Sequence, residues 1–165
     1  MILVADTSGL IAASGKNAPE SAGCQAVLAE AGTTLVSPLV LTEVDRLAKA
    51  RFGSDARSAL IDFIVFQVRR GRFRVPEISI ELLETARQVQ RQYAGLDLDL
   101  ADGVNVALAA EYRTRSVLTL DRRDFRAIRP LTPHPAFWLL PVGSVLRRPA
   151  GVCAAVKGTL VASVG

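Results

Sequence analysis

Ile2–Ala5 is a short apolar run that stops at Asp6, the pattern of a buried strand ending in a loop. Residues 20–31 follow a helical pattern, and Gly32 is placed to end it. The β-branched run Thr33–Val36 predicts a second buried strand. Ser37-Pro38 then opens a helix, with the serine as N-cap and the proline in the first turn, where it has no amide bond to lose. Val40, Val44 and Leu47 repeat along one face of it. Residues 54–70 predict another helix through Leu60, Ile64 and Val68, stopped by Gly71. Phe73–Val75 reads as a short strand closed by Pro76. Ser79 caps a helix whose stripe is Leu82, Ala86, Val89 and Tyr93, and Asp99 caps one carrying Val104, Ala107, Leu108 and Ala110. Ser116–Leu120 predicts a strand ending at Asp121, and Ala136–Leu140 predicts the last strand.

Strands alternating with helices predict an α/β domain with a central, mainly parallel β-sheet flanked by helices. Ligand sites in such sheets form beyond the carboxyl ends of the strands. Asp6 and Asp121 fall at two of those ends, Glu43 in the second turn of the helix opened by Ser37, and Asp102 in the first turn of the helix capped by Asp99. Four carboxylates are thereby placed to converge. Clustered carboxylates need a cation or shared protons. Hard oxygen donors suit Mg²⁺ or Mn²⁺, which bind phosphate oxygens at the same time and activate water. Each acid also has a structural use. Asp6 can end a strand through an Asx turn, Asp99 and Asp102 can form a capping box, Glu43 can sit exposed on its helix, and Asp121 can begin a turn.

Composition narrows the chemistry. At 165 residues the chain is sized for one domain, and 50% hydrophobic with 22% charged residues is a folded composition. Two cysteines, Cys24 and Cys153, and a single histidine, His134, exclude a disulfide framework, a cysteine zinc site and any two-histidine mechanism. The first residues lack a basic leader, and the longest apolar stretch, 136–146, holds Pro141 and Gly143, so neither a signal peptide nor a membrane span is expected. The net charge is +4, but Arg147, Arg148 and Lys157 in the last 25 residues meet no acid there, so most of the excess belongs to the tail.

At this point the motifs resemble a known family. Met1–Ser8 is similar to the opening strand of PIN-domain nucleases, in which an Asp is followed by Thr or Ser. Ser37–Val44 resembles the second motif with its Glu, Leu100–Ala109 the third, and Leu118–Phe125 the fourth. Leu139–Pro141 resembles the final strand. The ordered set covers residues 1–141 as a PIN-like nuclease domain and leaves 142–165 as a C-terminal extension. Compact size and motif wording resemble the VapC toxins of type II toxin–antitoxin (VapBC) systems.

That resemblance implies a Mg²⁺-dependent endoribonuclease, with Mn²⁺ as the substitute ion, which hydrolyses phosphodiester bonds in a structured RNA such as tRNA or rRNA. It further implies a VapB-type antitoxin as partner and a homodimer, and the two cysteines fit a reducing cytoplasm. Carried over by position, Asp6, Glu43, Asp102 and Asp121 are the catalytic and metal-holding residues. Thr7 or Ser8 would support Asp6 or a metal-bound water, Asp99 is a supporting residue or cap, and Asp124 would cap the turn before Phe125. Gly103 stands where the family commonly has Ala, a change that costs a helix up to about 1 kcal/mol.

Arginines dominate the bases, and their planar fork suits phosphate. Arg69, Arg70, Arg72 and Arg74 form one group, while Arg113, Arg115, Arg122, Arg123, Arg126 and Arg129 surround the fourth motif in sequence. Arg113, Arg115, Arg122, Arg123 and Arg126 are the RNA-binding candidates. Apolar helix faces within residues 8–30 and 38–66 are candidate docking faces for an antitoxin helix or a second subunit. Two other classes stay open on the residues alone. One is a different acid-pocket α/β enzyme, such as a phosphatase or phosphoacceptor, although Ser8 replaces the second Asp a dehalogenase-type phosphatase uses. The other is a catalytically silent domain that only binds a partner.

Overall fold

The computed structural model describes residues 1–15 and 19–142. Beyond Val142, the expected extension lies outside the described residues. The strands are β1 (Ile2–Ala5), β2 (Thr33–Leu35), β3 (Phe73–Arg74), β4 (Ser116–Leu118) and β5 (Trp138–Leu140). The helices are α1 (Thr7–Ser14), α2 (Ser21–Glu30), α3 (Pro38–Phe52), α4 (Ser54–Arg69), α5 (Ile80–Gln92), α6 (Leu100–Glu111) and α7 (Arg122–Ala127). All strand pairs are parallel, in the order β3-β2-β1-β4-β5.

The chain builds outward from β1 to β2 and β3, then crosses back to add β4 and β5 on the other side. The carboxyl ends of β1 and β4 therefore flank the point where the winding reverses, the place where open α/β sheets form crevices. The inner strands β1, β2 and β4 are short but largely buried on both faces, while Arg74 and Trp138 on the edge strands are exposed. Leu3 and Ala5 of β1 pack with α1, α2, α3 and α4 on one side, while Val4, Leu35 and Val117 pack with α5, α6 and α7 on the other. That two-sided burial is why the strands read as continuous apolar runs.

The expected caps form. Ser37 Oγ accepts from the Val40 amide at 3.2 Å, with Pro38 in the first turn, and Ser79 Oγ accepts from the Leu82 amide at 3.2 Å. Such caps stabilise a helix by about 1 kcal/mol each. Helix faces are expected within residues 8–30, but the pattern sets no helix bounds over 7–14, because Gly9–Ala13 are buried on every side and show no stripe. Tyr93 stands at the end of α5 rather than inside its stripe, where its hydroxyl accepts from the Arg129 amide at 3.0 Å. Asp124 lies within α7, beside Arg123 at 3.9 Å, and does not cap a turn.

Two glycines mark close approaches. A Cβ on Gly9 would stand 2.7 Å from the Leu118 carbonyl oxygen, so this position lets α1 press against β4. A Cβ on Gly103 would stand 2.8 Å from the Ala86 carbonyl oxygen, where α6 meets α5. Gly103 is thus a packing requirement, and the small loss of helix propensity is outweighed by the contact it permits.

Candidate active site at the reversal point of the sheet

One open cavity of about 700 Å³ sits beyond the carboxyl ends of β1 and β4. Asp6, Glu43, Asp99, Asp102 and Asp121 all line it, as do Thr7, Ser8 and Glu20. Each arrives by a different route. Asp6 directly follows β1, and Asp121 directly precedes α7. Glu43 comes from α3, and Asp102 from the first turn of α6.

Asp6 is the most constrained of the four. It is 7% exposed, and its Oδ2 accepts from Ser8 Oγ at 2.7 Å and from Thr119 Oγ1 at 2.9 Å. Its Oδ1 accepts from Asn105 Nδ2 at 3.4 Å. The two hydroxyls also help the neighbouring backbone, because Leu120 N donates to Ser8 Oγ and Asp121 N donates to Thr119 Oγ1, both at 2.9 Å. The first aspartate and the loop carrying Asp121 are thereby tied together. Burial raises the Asp6 pKa, and the hydroxyls of Ser8 and Thr119 oppose that rise.

Glu43 is held separately. Thr7 Oγ1 donates to Glu43 Oε2 at 2.7 Å, and Arg46 stands 3.9 Å from Glu43 Oε1. Ser8 therefore serves Asp6 while Thr7 serves Glu43, a division the sequence left unresolved. Asp99 and Asp102 form a reciprocal capping box. Asp99 Oδ1 accepts from the Asp102 amide at 2.8 Å, and Asp102 Oδ2 accepts from the Asp99 amide at 3.4 Å. Asp102 thus helps cap α6 while its side chain also lines the cavity. Burial, followed by the negative charges of Asp99, Asp6 and Asp121, pushes its carboxyl up to about 8. Asp121 is exposed, and its side chain makes no capping bond.

This donor set fits a divalent cation. It consists of hard carboxylate oxygens, and burial, together with the neighbouring negative charges, raises the Asp102 pKa where no cation balances them. Among the described residues no three acids already close into a ready ligand cluster. The arrangement suits an ion such as Mg²⁺, which takes one or two carboxylates directly and reaches others through water.

The RNA-binding candidates separate. Arg122, Arg123 and Arg126 follow Asp121 on α7, near the carboxyl end of β4. Arg122 donates to the Pro141 carbonyl oxygen, which commits it to holding the end of β5. Arg113 and Arg115 are not brought to the cavity. They precede β4 and stand at the opposite, amino end of the sheet, where Arg113 ends α6 in a left-handed conformation with φ 50°. Proximity in sequence does not become proximity at the cavity, because β4 lies between them and Asp121.

Sequence reasoning also missed Asn105 and Thr119. The signal was present. Each is a polar residue inside an otherwise apolar run, Val104–Leu108 and Val117–Leu120, and both are fully buried.

A parallel α/β domain with an acidic, cation-suited cavity at its reversal point defines a class that comparison with known proteins narrows. The chain matches the PIN domain over residues 3–130. It is 34% identical over 130 residues to the ribonuclease VapC26 of Mycobacterium tuberculosis, covering 78% of this chain and 93% of that protein. The chain belongs to the PIN-domain family, in its VapC group. Two solved structures share the fold. One is Mycobacterium tuberculosis VapC20, a toxin that cleaves the sarcin-ricin loop, with a TM-score of 0.65 and 19% identity over 78% of this chain and 99% of that one. The other is Rickettsia felis VapBC2 bound to a promoter DNA fragment, with a TM-score of 0.60 and 16% identity over 80% and 96%. Among the described residues no helix is long and apolar enough to cross a membrane.

Proposed function

We propose that this protein is a Mg²⁺-dependent endoribonuclease toxin that cuts a structured RNA, tRNA or rRNA, in the cytoplasm and is neutralised by a VapB-type antitoxin. Mn²⁺ is the substitute ion. The observation that carries the reading is the convergence of Asp6, Glu43, Asp102 and Asp121 on one cavity at the reversal point of the sheet. The kinship with VapC26, a ribonuclease, supplies the substrate class. The fold shared with a VapBC assembly supports the antitoxin partner.

In this reading the four acids hold the cation directly or through water. When bound, that ion supplies a water of lowered pKa and positive charge for the phosphate oxygens. Ser8, Thr119 and Asn105 fix the Asp6 carboxylate so that it meets the ion in one orientation. Thr7 does the same for Glu43. The Asp99 capping bond keeps the first turn of α6, and so Asp102, in place.

The test is incubation of the purified protein with total RNA, with Mg²⁺, with Mn²⁺ and with chelator, beside Asp6→Ala. Discrete products that require both the ion and Asp6 are expected. Equal products from the variant would sink the site assignment. Sedimentation of the same preparation checks the homodimer that the family resemblance implies.

A further inference from the structure

α3 brings more than Glu43 to the cavity. Glu43, Leu47 and Arg51 are spaced at i, i+4 and i+8, so they share the helix face that lines it, and Phe52 completes the same wall. Arg51 is the one basic side chain among the described residues that lines this cavity. It pairs with no carboxylate among the described residues. Phe52 is 44% exposed, a large ring left in water next to a charged cavity, and Gly53, with φ 88°, then turns the chain into α4. From Glu43 to Arg51 the helix rises about 12 Å. Along one stacked nucleic-acid strand, at about 3.4 Å per nucleotide, that spans roughly three to four nucleotides.

We propose that Arg51 and Phe52 form a subsite for an unpaired nucleotide a few positions from the cut, with the guanidinium on a phosphate and the ring stacked on the base. This rests on the ribonuclease reading above. Among the described residues the remaining charged groups lining the cavity are acids, which repel a polyanion wherever no cation covers them. Two features nonetheless favour a nucleotide over another occupant. Arg51 supplies positive charge at the far end of the same wall, and its planar fork suits phosphate. An exposed aromatic ring beside an arginine is the combination on which unpaired bases stack without regard to sequence. In a duplex the bases already stack on each other, so the subsite selects single-stranded segments or loops.

The experiment measures equilibrium binding of a labelled single-stranded RNA and of the same RNA in a duplex. The full chain carries Asp6→Ala, so that the RNA stays intact. Adding Phe52→Leu is expected to weaken single-strand binding about tenfold and to leave duplex binding nearly unchanged. Phe52→Trp keeps the stacking face and the affinity. Arg51→Ala lowers the salt dependence by about one charge. Melting temperatures stay close to the parent's, because both side chains are exposed. Single-strand affinity unchanged by Phe52→Leu overturns the proposal. So does a Phe52→Leu variant that loses self-association or antitoxin binding while holding RNA as before, since the ring then belongs to a protein interface. The two readings fail separately. A wild-type protein that neither binds nor cuts RNA refutes the ribonuclease reading. A Phe52→Leu enzyme that cuts with an unchanged KM refutes the subsite alone.

Discussion

The two ends of the sheet are built from the same strands and carry opposite chemistry. At the carboxyl end, acids from β1, α3, α6 and the start of α7 line one cavity, and the most buried of them is held by three side-chain donors. At the amino end, Arg70, Arg72, Arg113 and Arg115 stand where α4 and α6 finish and where β3 and β4 begin. Those positions have structural explanations. Arg72 donates to the Ala29 carbonyl at the end of α2 at 2.6 Å, and arginines near helix C-termini meet the negative end of the helix dipole. The difference teaches that charge density in sequence does not locate a site. The convergence of acids around a buried, hydrogen-bonded carboxylate is what sets the carboxyl end apart.

The largest expected effect breaks the acidic end at its centre. Asp6→Ala should reduce cleavage to background in a gel assay, while Asp124→Ala, outside the cavity wall, should not. Thr119→Val removes one donor to Asp6 and the support of the Asp121 amide together. It is expected to cost about 10- to 100-fold in activity or cation affinity, the range seen for groups that orient metal ligands. Activity in Thr119→Val equal to wild type would show that Asp6 needs no such support.

A third prediction separates packing from chemistry. Gly103→Val forces a side chain against the Ala86 carbonyl and should destabilise the fold by about 1–3 kcal/mol in denaturant titration. A stable variant would mean that α5 and α6 do not meet as described. The fourth concerns pH. Without a divalent ion, Asp102 titrates near 8 in the folded protein against 3.8 as its ordinary value. The folded state then holds the extra proton, so this group's contribution to stability is present below about 4 and lost as pH rises through about 8. Asp6, also raised, acts in the same direction. Melting temperature in chelator should therefore fall across that window, and added Mg²⁺ should flatten the fall. A chelated protein whose melting temperature does not fall would remove the electrostatic argument. The smallest effect belongs to the amino end. Arg113→Ala with Arg115→Ala should change the KM for RNA by no more than about twofold. A larger loss would return that end of the sheet to the RNA-binding surface.

Much of this contrast was legible in the sequence, for physical reasons. Buried parallel strands favour apolar and β-branched residues, so Ile2–Ala5 and Thr33–Val36 declared themselves. Ser37, Ser79 and Asp99 declared their helices, because an N-cap needs a short polar side chain. Strand direction then carried Asp6 and Asp121 to one end. The hidden features depend on contacts between distant segments. α1 is buried all round and shows no periodic stripe. Thr119 and Asn105 acquire a role only once Asp6 lies beside them, 113 and 99 residues away along the chain. Gly103 looked like a weak helix residue until α5 was placed against it. Arg113 and Arg115 looked close to Asp121 because linear distance ignores the strand between them.

The claim beneath all of this is that the four carboxylates hold a divalent cation where the sheet reverses. Mn²⁺ titration followed by electron paramagnetic resonance tests it without any RNA, comparing wild type with Asp6→Asn at a pH above 8. Saturable binding by the wild type, and loss of that binding in the variant, is the predicted result. Equal Mn²⁺ affinity in the two proteins, or no saturable binding by the wild type, would contradict it.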